Sequence, residues 1–189
     1  MCGESGKGSS HTSIAIGGGM LNTPNGCNRN DLVFTPKELA KKIIDHFEPD
    51  GVVLDPSRGE GAFTEMLELY SNENPGRIKS IDWCEITQGR DFFDYDGKAD
   101  WIVTNPPWSK MRDFMSHAFE LADNVVYLIT INHVFTKARL RGMRESGFGI
   151  REIFCFDTPP NFPSSGFQCG AVHFQRGWTG PTTISFDNE

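Results

Sequence analysis

Thr104-Asn105-Pro106-Pro107-Trp108 is the run in this 189-residue chain whose residue types are best suited to chemistry. Each residue before a proline is pushed toward an extended backbone, and each proline fixes its own φ, so the run is stiff. The Asn105 side-chain oxygen and the Pro106 carbonyl can both point at one amino group. Accepting its two N–H bonds favours a pyramidal nitrogen and aims the lone pair at an electrophile. Trp108 offers a flat face for stacking a purine, a contact worth roughly 1–3 kcal/mol. The plain alternative is a rigid turn with a packed tryptophan.

Three further groups could serve a ligand beside that run. In Leu54-Asp55-Pro56-Ser57-Arg58-Gly59-Glu60-Gly61-Ala62-Phe63, an acid ends an apolar stretch and two glycines let the backbone approach a ligand. The acid can accept hydrogen bonds from a cationic amino group. The third glycine of a dinucleotide fingerprint is missing. Glu85 can accept both hydroxyls of a ribose and Ile86 can lie against an adenine, or Glu85 is an ordinary strand-end acid. Asp91-Phe92 can bind an adenine amino group and flank its ring, or form a turn followed by core phenylalanines. The run Gly3 to Ser9 lacks the four-residue spacer of a phosphate loop and is rejected.

These groups need elements to hold them. Thr35 as N-cap and Pro36 in the first turn predict a helix over 37–47, with Leu39, Ala40, Ile43, Ile44 and Phe47 on its apolar face. Residues 51–55, 80–86, 101–104 and 125–131 read as strands, and 152–156 and 171–174 as closing strands. Helices are predicted at 62–69, 111–121 and 137–145. Alternating strands and helices imply a mostly parallel sheet with helices on its faces, and a ligand site at the carboxyl ends of the strands. Residues 1–30, rich in Gly, Ser and Asn, are expected to be a flexible tail. Residues 31–180 form the expected catalytic domain.

Composition narrows the classes. With 38% hydrophobic residues the chain can bury one core. No stretch approaches the ~20 apolar residues of a membrane span, and no apolar signal core opens the chain, so a cytoplasmic protein with no membrane contact is expected. The five cysteines form no C-x-x-C pair, and neither a disulfide framework nor a metal site is expected. The net charge of −7 counts against a protein that coats nucleic acid. Lys137, Arg139, Arg141, Arg144 and Arg151 nevertheless cluster within fifteen positions, as a solvated helix face or as a phosphate-contacting one.

With those residues in that order, the chain resembles the S-adenosylmethionine-dependent amino-methyltransferases, most closely the N6-adenine DNA methyltransferases with the gamma order of motifs. The likeness covers about residues 31–176. It implies a Rossmann-like three-layer sandwich around a mostly parallel sheet of seven strands or a reduced set. It implies S-adenosyl-L-methionine as cofactor, held by Phe34, Thr35, Pro36, Asp55, Pro56, Gly59, Gly61, Phe63, Glu85, Ile86, Asp91, Phe92 and Asn105. Asn105, Pro106, Pro107 and Trp108 would be catalytic. Trp108 would stack the target base, opposite Phe162 or, alternatively, Phe167. The implied substrate is DNA. RNA is the alternative, then a protein glutamine, and a non-catalytic nucleic-acid-binding subunit is a different class of answer. Two features depart from the pattern. Only five residues separate Glu85 from Asp91, so no helix fits between them and one flank of the sheet must be thin. No target-recognition domain is expected, so specificity would come from short loops, the tail or a separate specificity protein.

Overall fold

Apolar residues recur at helical spacing in Lys37–Phe47 (α1), and Leu39, Ala40, Ile43, Ile44 and Phe47 are all buried in the computed structural model. The structure describes residues 33–158, 160, 162 and 166–187, so the expected tail lies outside the described residues. Gly51–Asp55 (β1), Ala62–Glu73 (α2), Ile78–Trp83 (β2), Ala99–Thr104 (β3), Met111–Leu121 (α3), Ala122–Thr130 (β4), Lys137–Glu145 (α4), Phe148–Cys155 (β5), Cys169–Arg176 (β6) and Thr183–Phe186 (β7) follow. They build one seven-stranded sheet in the order β2-β1-β3-β4-β6-β5-β7. β6 runs antiparallel to both of its neighbours, and the other neighbouring strands are parallel.

Strand residues alternate between two cores because successive side chains point to opposite faces. Leu54, Ile102, Val125, Tyr127 and Ile129 pack against α3 and α4 through Met111, Phe114, Phe119 and Met143. Val53, Val103, Val126 and Leu128 pack against α1 and α2 through Ile43, Ile44, Phe63 and Leu67. The result is the expected Rossmann-like three-layer sandwich.

Several elements differ from the sequence expectation. Thr35 is not the N-cap of α1. Pro36 holds that position without a side-chain cap bond, because the Thr35 hydroxyl accepts from Asn105 Nδ2 instead. α2 runs four residues past Leu69. β2 stops at Trp83, and Glu85 caps a single 3₁₀ turn over Ile86–Gln88. A second turn over Phe92–Asp94 follows, capped by Asp91. No helix fits between Glu85 and Asp91, and β2 is the sheet edge. β7 was not foreseen. It is short and mostly exposed, pairs parallel to β5, and is tied by Ser185 Oγ donating to Glu152 Oε1 at 2.7 Å.

Candidate functional site

β1, β2 and β3 point their carboxyl ends at one cavity of about 340 Å³, at the lower end of the roughly 300–1,000 Å³ usual for small-ligand sites. Its walls come from Val33, Phe34 and Thr35 before α1, from Pro56 to Glu60 after β1, and from Ala62 and Phe63 at the head of α2. Glu85 to Thr87 and Asp91 to Phe93 follow β2, and Asn105, Pro107, Lys110 and Phe114 close the far side. Gly59 (φ 53°) and Gly61 (φ 94°) let the loop after β1 turn tightly. A Cβ on Gly61 would stand 3.1 Å from the Arg58 guanidinium.

Glu85 fixes one wall of the cavity. Its Oε2 accepts from the Gly59 N–H at 2.8 Å, and its Oε1 accepts from the Thr87 N–H at 3.0 Å and hydroxyl at 2.6 Å. Asp91 Oδ1 accepts from the Phe93 N–H at 3.0 Å. Phe92 is buried against Phe114, whereas Ile86 and Phe93 stay partly exposed at the rim. A bridge between Glu85 and Arg90 brings both acids to the same cavity. Arg58 lines it as a cation, stands over the Trp83 ring at 4.9 Å, and has a buried Nε without a partner.

Asn105 is oriented by its own amide. Nδ2 donates to the Val33 carbonyl at 3.1 Å and to the Thr35 hydroxyl at 3.3 Å. That fixes the flip and leaves Oδ1 buried with no partner. A buried acceptor left unpaired costs roughly 1–3 kcal/mol, so it marks a place where a donor belongs.

Behind the cavity, Asp55 is fully buried and does not line it. Its Oδ2 lies 3.0 Å from Thr64 Oγ1 and its Oδ1 2.8 Å from Thr104 Oγ1, both within hydrogen-bond range. Ser57 Oγ lies 2.9 Å from Thr104 Oγ1 and donates to the Asn105 carbonyl at 2.7 Å. Burial pushes the Asp55 carboxyl up to about 6. Hydrogen bonds from Thr104, Thr64 and the Ser57 N–H, and the Arg58 charge, pull the other way. Both carboxyl oxygens thus face hydroxyls inside the protein, and the carboxyl expected to meet a ligand's amino group stands behind the cavity wall.

Of the residues expected at the site, the cavity gathers Phe34, Thr35, Pro56, Gly59, Phe63, Glu85, Ile86, Asp91, Phe92, Asn105 and Pro107. Pro36, Gly61 and Pro106 support it without lining it. Trp108 also lies outside the lining. It packs between the two cores, with ring centroids 5.5 Å from His133 and 6.5 Å from Phe162. The Trp108 and Phe162 planes meet at 58°, so they are neighbours rather than parallel walls. Phe162 is buried and Phe167 is 57% exposed. Ser57, Arg58, Thr64, Thr87 and Thr104 were not singled out from sequence. No motif marks a hydroxyl whose partner sits on another strand. Among the described residues no group of three or more His, Cys, Asp or Glu could hold a metal ion, and no helix is long and apolar enough to cross a membrane.

This arrangement of strands and helices recurs in solved structures. A candidate class I S-adenosylmethionine-dependent methyltransferase from Listeria monocytogenes aligns with TM-score 0.63 at 9% identity, over 87% of this chain and 68% of the other. The fold is that of the class I S-adenosylmethionine-dependent methyltransferases. A modification subunit of a candidate type I restriction enzyme from Vibrio vulnificus aligns with TM-score 0.58 at 15% identity, over 79% of this chain and 45% of the other. A candidate RNA methyltransferase from Pyrococcus horikoshii aligns with TM-score 0.52 at 16% identity, over 76% and 86%. The chain thus spans less than half the length of the restriction-modification protein. Neither a protein-family model nor a curated protein sequence matches the chain.

Proposed function

We propose that this chain transfers a methyl group from S-adenosyl-L-methionine to an amino nitrogen, and that the nitrogen is N6 of adenine in DNA. One observation carries the reading. Asn105 lines the cavity with its Nδ2 held by Val33 and Thr35, and its Oδ1 is buried without a donor. The residues present fit the cofactor. Glu85, fixed by Gly59 and Thr87, would meet the ribose hydroxyls. Ile86, Asp91 and Phe92 would hold the adenine. Arg58 would meet the carboxylate of the methionine tail, and Phe34, Pro56 and Phe63 supply the apolar wall. Bound there, the cofactor supplies an electrophilic methyl on a sulfonium.

The chain's own residues do the positioning. Asn105 Oδ1 accepts one N–H of the target amine and thereby turns the nitrogen lone pair toward the cavity, while the Pro106 carbonyl takes the other N–H. Catalysis of this kind rests on orientation and fixed dipoles. A base inside a duplex must first leave the stack, at a cost of a few kcal/mol. Trp108 with Phe162 or Phe167 would offset part of it by stacking. The likeness to a modification subunit of a restriction enzyme supports a DNA target and a partner subunit, which in this reading is a separate specificity protein.

Calorimetry with S-adenosylmethionine, followed by radiolabelled methyl transfer to unmethylated DNA, RNA and protein pools, tests the reading. Binding with label in DNA as N6-methyladenine is expected. Label in RNA or in protein glutamine would move the substrate class. Absence of cofactor binding would remove the enzyme reading and leave a binding subunit.

A further inference from the structure

Asp55 is the only fully buried carboxyl group among the described residues, and the protons around it can be counted. Four oxygen–oxygen contacts of 2.7 to 3.0 Å run from Thr64 through Asp55, Thr104 and Ser57 to the Asn105 carbonyl. All fall within the usual range for O–H···O bonds. Three hydroxyls bring three protons to these four contacts. With Asp55 ionised, Thr64 and Thr104 give theirs to the carboxylate and Ser57 gives its own to the carbonyl. The Ser57–Thr104 contact is then two oxygens with no hydrogen between them. A proton on Asp55 Oδ1 removes the deficit. Asp55 donates to Thr104, Thr104 to Ser57, and Ser57 to the Asn105 carbonyl, while Thr64 still donates to Oδ2.

We propose that one proton on Asp55 sets the Asn105-Pro106 corner: carrying it, Asp55 is a positioning residue that locks the corner through Thr104 and Ser57, and losing it releases the lock. Burial favours the neutral group and the two hydroxyls can serve either form, whereas the Ser57 N–H and the Arg58 charge favour the ionised one. Thr64 faces it from α2, Thr104 from β3, and the Ser57 N–H from the loop. The titratable and charged groups near it are Arg58 in that loop and Cys84 after β2, whose buried thiol is itself held up to about 11 and stays uncharged. Ionisation of Asp55 leaves one link of the chain without a proton and frees the Asn105 main chain to shift. A site that must hold one acceptor against one nitrogen feels that shift directly. This consequence for catalysis rests on the methyltransferase reading, but the proton chain itself does not.

The test is carbon-detected NMR on uniformly 13C,15N-labelled protein, titrated from about pH 4 to 8. The Asn105 carbonyl is read through its bond to the Pro106 nitrogen, and Asp55 through its Cγ. A single step shared by both signals, well above the ordinary carboxylate range, is expected. In Ser57→Ala the Asp55 step should persist while the Asn105 signal becomes flat. In Asp55→Asn the new amide donates to Thr104 and accepts from Thr64, so the Asn105 signal should stay at its low-pH position throughout. An Asp55 Cγ that titrates in the ordinary range, or an Asn105 carbonyl blind to the Asp55 step in the unaltered protein, overturns the proposal. Neither readout needs cofactor or methyl acceptor. Failure here is thus distinct from failure of the methyltransferase reading, which shows as absent cofactor binding in calorimetry.

Discussion

Replacing Asn105 by Ala separates folding from chemistry because the two halves of its amide do different things. Nδ2 makes two neutral hydrogen bonds, to Val33 and Thr35, each worth about 0.5–1.5 kcal/mol net. Their loss costs roughly 1–3 kcal/mol. Oδ1 is buried and unpaired, and deleting such an atom returns about 1–3 kcal/mol. The two contributions nearly cancel, so Asn105→Ala should change stability by no more than about 1 kcal/mol, a shift of about 2–4 °C in Tm for a chain of this size. Methyl transfer should fall by about 10²–10³, the usual cost of deleting one group aimed at the reacting centre, with cofactor affinity within a few-fold of the unaltered protein. Asn105→Asp should be the less stable variant despite its closer shape. It keeps the acceptor at Oδ1 but replaces the Nδ2 donor by a second oxygen, set against the Val33 carbonyl. Differential scanning calorimetry, titration calorimetry and single-turnover methylation read the three quantities. Turnover of Asn105→Ala near that of the unaltered protein, or an Asp variant more stable than the Ala variant, would refute the assignment of the amide's two ends.

Other outcomes follow from the same structure. Glu85→Gln keeps a carbonyl for Gly59 or Thr87 but not for both, and should weaken cofactor binding about tenfold or more in calorimetry, for a loss of roughly 1–3 kcal/mol in hydrogen bonds to a charged group. Folding stability should carry two opposed pH dependences. Asp55 is raised to about 6, so the folded state holds its proton longer, and this contribution falls as pH rises from the ordinary carboxylate range through about 6. His173, depressed to about 4 by burial, holds its proton less well than the unfolded chain, and its contribution rises over about pH 4 to 6.5. Each amounts to roughly 3 kcal/mol at about 1.4 kcal/mol per pK unit. Urea unfolding of the unaltered protein should therefore be nearly flat there, whereas Asp55→Asn should gain stability with rising pH and His173→Gln should lose it. Gly149→Ala places a Cβ 2.2 Å from the Trp178 carbonyl, and should lower Tm by several degrees or abolish soluble expression, where Gly142, with nothing within 4 Å of an added Cβ, tolerates Ala.

Much of this molecule is legible in the order of its residues. Apolar spacing and turn chemistry locate α1, α3 and α4, the start of α2, and the strands that carry the site, because those signals are local. The stiff Asn105 to Trp108 corner, the glycine loop after β1, and the acids at Glu85 and Asp91 are likewise visible one by one. β7 is not, since a short exposed strand exists only because the β5 edge accepts it.

The tertiary structure alone decided how those groups divide the work. Thr35 looks like a helix cap and instead orients the amide of Asn105, seventy residues away. Asp55 looks like a ligand contact and instead sits behind the cavity, because β1 and β3 lie side by side and bring Ser57 and Thr104 against it. Trp108 looks like an open stacking face and is partly taken up between the two cores. Local sequence sets which residues stand at the strand ends. Hydrogen-bond partners and burial depend on which strands become neighbours, and that is fixed only when both faces of the sheet are packed.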